Sequence, residues 1–185
     1  MSKFMVQQQE RLALAKIIEE HFAKNLIDPV WPTQHEDMYD HWDVSGKVKE
    51  DFLLKNHIKG DELRDDNKFD VKGLKKFHRK DDKFMDDMAW VEAKNVNGSK
   101  GWISGKADYI VFERICTWLI ANRLELLHLV NKKVKALNFM VGKKPYHIYS
   151  RSGRSDKITL VPFKDIKSLP LTTEPYKVPV NEMHS

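Results

Sequence analysis

Three stretches of this chain carry acids and lysines at strand spacing. In Tyr39-Asp40-His41-Trp42-Asp43-Val44, Lys68-Phe69-Asp70-Val71-Lys72-Gly73-Leu74 and Met88-Ala89-Trp90-Val91-Glu92-Ala93-Lys94-Asn95-Val96, apolar and polar residues alternate. Residues two apart on a strand share a face, so Asp70 stands beside Lys72 and Glu92 beside Lys94, with Trp42, Val71, Val91 and Ala93 on the opposite faces. If these strands are neighbours in register, Asp43, Asp70, Lys72, Glu92 and Lys94 share one side of a sheet. That set suits phosphodiester hydrolysis. The reaction needs a deprotonated water near neutral pH and positive charge for the non-bridging oxygens. Magnesium, or manganese in its place, supplies both and takes carboxylate oxygens from adjacent strands. A lysine two residues beyond an acid holds the attacking water or the phosphate and stabilises the transition state. The same alternation also describes the solvated face of any half-buried strand. Two acid-x-Lys pairs together with Asp43 tip the reading towards chemistry.

An upstream Asp followed by (Asp/Glu)-x-Lys on the next strand resembles the signature of the PD-(D/E)xK nuclease superfamily. The residues that carry the resemblance run from Asp37 to Asp43, through Asp70-Val71-Lys72-Gly73 and Trp90-Val91-Glu92-Ala93-Lys94-Asn95-Val96, to Gly101-Trp102 and Gly105-Lys106-Ala107-Asp108-Tyr109-Ile110. It covers residues 35 to 113, with an echo at Ile158 to Ile166, and extends to small phage-encoded members. The resemblance implies a restriction-endonuclease-like α/β core, a single mixed central sheet flanked by helices, in the order helix, three strands, helix, strand. It also implies a magnesium- or manganese-dependent nuclease acting on DNA, and so an enzyme. Asp43, Asp70 and Glu92 would be metal ligands, and Lys72 and Lys94 catalytic. Two registers stay open. Either Asp43 is the lone acid and Asp70-x-Lys72 the pair, or Asp70 is the lone acid and Glu92-x-Lys94 the pair. Strand order favours the second and the Asp-Val-Lys-Gly match the first. His41-Trp42 precedes Asp43 and Lys68-Phe69 precedes Asp70, so the family's proline is absent from both. The alternative function is a catalytically inactive nuclease-fold protein that binds nucleic acid or inhibits a host protein.

Several elements must position these residues. Val6 to Leu26 has the periodicity of an amphipathic helix with Leu12, Leu14, Ala15, Ile18, Phe22 and Leu26 on one side, ended by Asp28-Pro29 and Trp31-Pro32. In the superfamily the first helix often adds an acid to the site, which points to Glu19 or Glu20. His35 to His41 holds two histidines and three acids without metal-site spacing, and reads as supporting or surface residues. Ser45 to Asn67 is a charged excursion between strands, with Phe52, Leu53, Leu54 and Ile58 giving it some packing of its own. Asn97 to Lys106 fails as a phosphate-binding P-loop, because Lys100 replaces the first glycine and Ala107 follows the lysine. A tight connection with a short helical turn at Trp102 is the simpler expectation. Asp108 to Glu113 and Thr117 to Ala121 are apolar runs expected of buried strands. Arg123 to Lys135 should be helical, with Leu124, Leu127, Val130 and Val134 on one face. Pro145 to Ser150 and Lys157 to Pro162 flank a hairpin tip. Residues 1–167 read as one nuclease-like α/β domain and 168–185 as an extended C-terminal tail.

Composition sets the outer bounds. The 185 residues carry a net charge of +5 with a pI near 9.1, which suits a polyanionic partner. Lys75, Lys76, Arg79, Lys80, Lys106, Arg151 and Arg154 are the candidate nucleic-acid contacts. The single cysteine, Cys116, excludes an internal disulfide and any multi-cysteine zinc site; its apolar neighbours predict a buried thiol. No run approaches a membrane span and Met1-Ser2-Lys3-Phe4 has no secretory pattern, so a cytoplasmic setting is expected, the host cytoplasm for a phage protein. Homodimerisation stays open.

Overall fold

The computed structural model describes residues 3–56, 58, 63, 65–76, 82–134, 144–150 and 153–177. Its elements are α1 (Lys3–Ala23), β1 (Leu26–Val30), α2 (Gln34–Asp40), β2 (Val44–Val48), α3 (Glu50–Lys55), β3 (Asn67–Lys72), β4 (Met88–Lys94), β5 (Tyr109–Glu113), β6 (Trp118–Asn122), α4 (Arg123–Lys133), β7 (Lys157–Pro162) and α5 (Phe163–Lys167). A 3-10 turn at Trp102–Ser104 matches the short turn expected there. Five strands form a mixed sheet in the order β1-β2-β3-β5-β6. β1, β2 and β3 run antiparallel, β5 is parallel to β3, and β6 returns antiparallel to β5.

Alternation of side chains sends the sheet's apolar residues to two cores. On one face Phe69, Val71, Val111 and Trp118 pack with Phe22 of α1 and Phe52 and Leu53 of α3. On the other, Ile110, Phe112, Leu119 and Ala121 pack under Ala89 and Val91 of β4, Val161 of β7, Leu126 and Val130 of α4, and Trp102. The expected single sheet is therefore two. Both edges of β3 are taken, by β2 and β5, so β4 pairs antiparallel with β7 in a separate two-stranded sheet that lies over the second core.

Other expectations shift locally. Tyr39 and Asp40 end a helix rather than begin a strand. Thr33 and Glu36 form a reciprocal capping box that starts α2 five residues before the expected strand, and His41 closes the helix in the left-handed conformation. Among its described side chains α1 packs through its C-terminal part, where Ile18 reaches the core. His21, Phe22 and Ala23 are buried, whereas Leu12 and Leu14, expected on the packed side, are 65% and 58% exposed. Leu26 starts β1, whose Pro29 is tolerated because β1 is an edge strand. On α4 it is Leu126 and Val130 that are buried, while Leu124 faces solvent. Cys116 is exposed, since it lies in the turn between β5 and β6 rather than on a strand. The C-terminal segment is extended and docked: Thr173 and Tyr176 bridge to Ile120 and Thr117 along the outer edge of β6. Among the described residues no helix is long and apolar enough to cross a membrane.

Candidate active site

β2 begins and β3 ends at the same end of the sheet, because the two are antiparallel. The register pairs Val44 with Phe69, so one step further Asp43 faces Asp70 across the strands. Asp43 is locked there by its backbone, whose N–H donates to Phe69 O at 2.8 Å, and by its side chain, where Oδ2 accepts the Val71 N–H at 2.6 Å. Asp70 is 1% exposed. Its Oδ1 is ion-paired with the Lys72 ammonium, two residues on and on the same face. Its Oδ2 is buried and no donor faces it. Lys72 also lies over the Trp102 ring, 5.1 Å from its centroid.

Charge in this cluster is out of balance. Burial, and beyond it the Asp43 carboxylate, raises the Asp70 ionisation well above the usual carboxylate range, although Lys72 pulls the other way. Burial opposes the Lys72 charge, but Asp70 and Asp43, with a contribution from Glu92, outweigh it and hold the ammonium protonated above the ordinary lysine range. Two further acids feel the same field. Glu19 of α1 is raised to about 7 by burial and by Asp43, despite Lys16, which lies 3.7 Å from it. Asp37 of α2 is raised by partial burial and again by Asp43. In the three carboxyls burial is the largest cause and Asp43 adds to it, whereas in Lys72 the neighbouring carboxylates outweigh burial.

Two tight contacts fix the surroundings. A Cβ on Gly101 would stand 2.2 Å from Glu92 O, so only glycine lets the turn at Trp102–Ser104 lie against β4 and bring Trp102 beneath Lys72. A Cβ on Gly105 would stand 2.6 Å from Asp40 O, so glycine there lets the same turn press against the end of α2. Lys106 completes that join. Its N–H donates to Asp40 O at 2.6 Å and its ammonium pairs with the Asp40 carboxylate at 3.0 Å.

The sequence-derived candidates thus separate. Asp43, Asp70 and Lys72 come together. Glu92, on β4 in the other sheet, is near enough to act on Lys72, but Lys94 is exposed beyond an irregularity in the β4–β7 register that falls between the two. Lys75 and Lys76 are exposed just past β3, with the Lys76 ammonium 5.8 Å from the Phe84 ring centroid. Arg154 is exposed ahead of β7. Lys106 is engaged by Asp40. Arg79, Lys80 and Arg151 lie outside the described residues. Asp37, Trp102 and Lys16 belong to the same neighbourhood and are not among the sequence-derived set. The Thr33-x-x-Glu36 capping signature was the available signal for Asp37, since it makes residues 34–40 a helix that can lean on the site. Nothing local marks Trp102 or Lys16. A scan against models of known protein families gives no match, and searches of characterised proteins and of solved structures give no significant match.

Proposed function

We propose that this protein is a metal-dependent nuclease hydrolysing phosphodiester bonds of DNA, built on the restriction-endonuclease-like plan. One observation carries the reading: Asp43 and Asp70 meet across β2 and β3, with the Lys72 ammonium beside them. The order of α1, three antiparallel strands and a fourth strand parallel to β3 is in keeping with it, with β4 and the Trp102 turn standing where the superfamily has a helix.

The residues fit a hard divalent cation. Asp70 Oδ2 is buried without a donor, and the proton affinities of Asp70, Lys72, Glu19 and Asp37 are raised. Among the described residues no three His, Cys, Asp or Glu side chains form a ready metal-holding group. Magnesium needs only one or two carboxylates, with waters and substrate phosphate filling the remaining positions. Asp43 and Asp70 would hold magnesium or manganese, which would supply a deprotonated water near neutral pH and positive charge for the phosphoryl oxygens. Lys72 donates to a phosphoryl oxygen as negative charge builds there. Glu19, raised to about 7 by burial and by Asp43, adds a further carboxyl to the neighbourhood. A nucleic-acid-binding protein with this fold and no chemistry is the second reading. On its side stand the direct Lys72–Asp70 pair and the placement of Glu92 and Lys94 on a separate sheet.

The test is cleavage of plasmid DNA with magnesium and with chelator. Asp43→Asn, Asp70→Asn and Lys72→Met should each lower the rate by about 100-fold or more, with circular dichroism unchanged. Cleavage that survives in both acid variants, or that ignores chelator, ends the proposal.

A further inference from the structure

The face of β3 that carries Asp70 and Lys72 carries one more cation. Lys68 lies two residues before Asp70, so the row Lys68, Asp70, Lys72 projects from one side of the strand at steps of about 7 Å. Lys72 is paired with Asp70 and Lys106 with Asp40, but Lys68 has no ion pair among the described residues. Glu36 feels the Lys68 charge, but the nearby carboxylates make their close contacts elsewhere. Asp108 Oδ2 accepts the Lys68 backbone N–H at 2.8 Å, and Glu36 Oε2 accepts from both the Thr33 N–H and its hydroxyl. What holds the Lys68 ammonium is an aromatic ring: it lies 4.5 Å from the centroid of Trp42, which is 3% exposed and adjoins Asp43. A lysine steadied by a buried ring and in ion-pair contact with no carboxylate among the described residues is prepared for an anion from outside. Its distance from Asp70 is on the scale of one nucleotide step along a strand.

We propose that Lys68, seated on Trp42, binds the phosphate adjoining the one at Asp43 and Asp70, so that the site takes a polynucleotide strand rather than an isolated phosphodiester. This rests on the nuclease reading and adds to it a residue that holds the strand beside the reacting bond. A lysine that binds a flanking phosphate acts on affinity for the polymer. It leaves the reacting bond alone.

Lys68→Gln should therefore raise KM for a DNA oligonucleotide about tenfold with kcat unchanged. It should not alter hydrolysis of bis(p-nitrophenyl) phosphate, which has a single diester and no neighbouring phosphate. Lys68→Arg should restore the KM. Independently of cleavage, the salt dependence of oligonucleotide binding, followed by fluorescence anisotropy in calcium, should weaken in Lys68→Gln by about 0.7 to 0.9 in the slope of log K against log salt, the loss of one phosphate contact. If the wild type cleaves but Lys68→Gln leaves KM and slope unchanged, or alters both substrates equally, the Lys68 assignment is overturned and the nuclease reading stands. If the wild type cleaves nothing yet the slope still falls, Lys68 is a phosphate contact on a binding protein and the nuclease reading is what fails. No binding and no cleavage removes both.

Discussion

The negative charge of Asp70 competes with burial and with the Asp43 carboxylate that faces it, and both raise the Asp70 ionisation. Asp43→Asn would relieve that competition at Asp70, and an asparagine oxygen can still accept the Val71 N–H. The variant should then melt no lower than the wild type in chelator, and it should lose any rise in melting temperature that magnesium gives. A drop of several degrees in chelator would show that the Asp43 charge is stabilising after all. Glu19 makes a prediction in pH. Its folded value of about 7 lies above its ordinary 4.5, so the folded protein holds more protons than the unfolded chain across that interval. Its contribution is complete below about 4.5 and is lost as pH rises through 7; the raised Asp70 acts with the same sign. Melting temperature in chelator should fall by a few degrees between pH 5 and pH 8, and Glu19→Gln should flatten part of that fall. At this scale much was legible from sequence, since the two-residue period alone puts Lys72 beside Asp70. The charge imbalance was not. It depends on how deeply Asp70 is buried, and burial is a property of layers that the strand itself does not contain.

Elements place these groups, and α2 is the one most exposed to test. Its seven residues are short for a helix, and its start rests on the Thr33–Glu36 box. Thr33→Ala should cost about 1 kcal/mol, measured by urea unfolding, and should loosen the Asp40–Lys106 join before the rest of the protein. Gly101→Ala should do more harm, roughly 1–3 kcal/mol, because the added carbon meets backbone and not a side chain that can swing away. Unchanged unfolding midpoints in either variant would contradict these contacts. The strands that sequence reads best, β5 and β6, are apolar runs buried on both faces. β1 escaped because Pro29 and the positive φ of Asp28 interrupt it, and the capping box of α2 was masked by an alternation that merely looks like a strand. The pairing of β4 with β7 could not be read from either strand. It follows from the exclusion of β4 from both edges of β3, a contest among segments far apart in the chain.

For the molecule as a whole, the two edges of the large sheet are managed differently. β1 carries Pro29 and a register irregularity against β2, both of which discourage further pairing. β6 is instead covered by residues 173–177. Arg114 ties that segment to the body by pairing with Glu174 and Asp86, and Lys177 by pairing with Glu113 at 3.0 Å. Glu113 in turn accepts the N–H of Leu74, two residues beyond Lys72. Ending the chain after Leu171 should uncover β6, lower the melting temperature by several degrees and promote association visible by size-exclusion chromatography. A monomeric truncation with an unchanged melt would mean that the segment lies on β6 without contributing to it.

The ammonium of Lys72 resting against Asp70 has one more consequence. The protein carries its own stand-in for an inorganic cation, so assembly of the chain does not wait for one to arrive. On the proposed reading, loading of a metal is an exchange of one positive charge for another at a finished fold, and a chelator should then silence cleavage reversibly, with compactness and helix content unchanged.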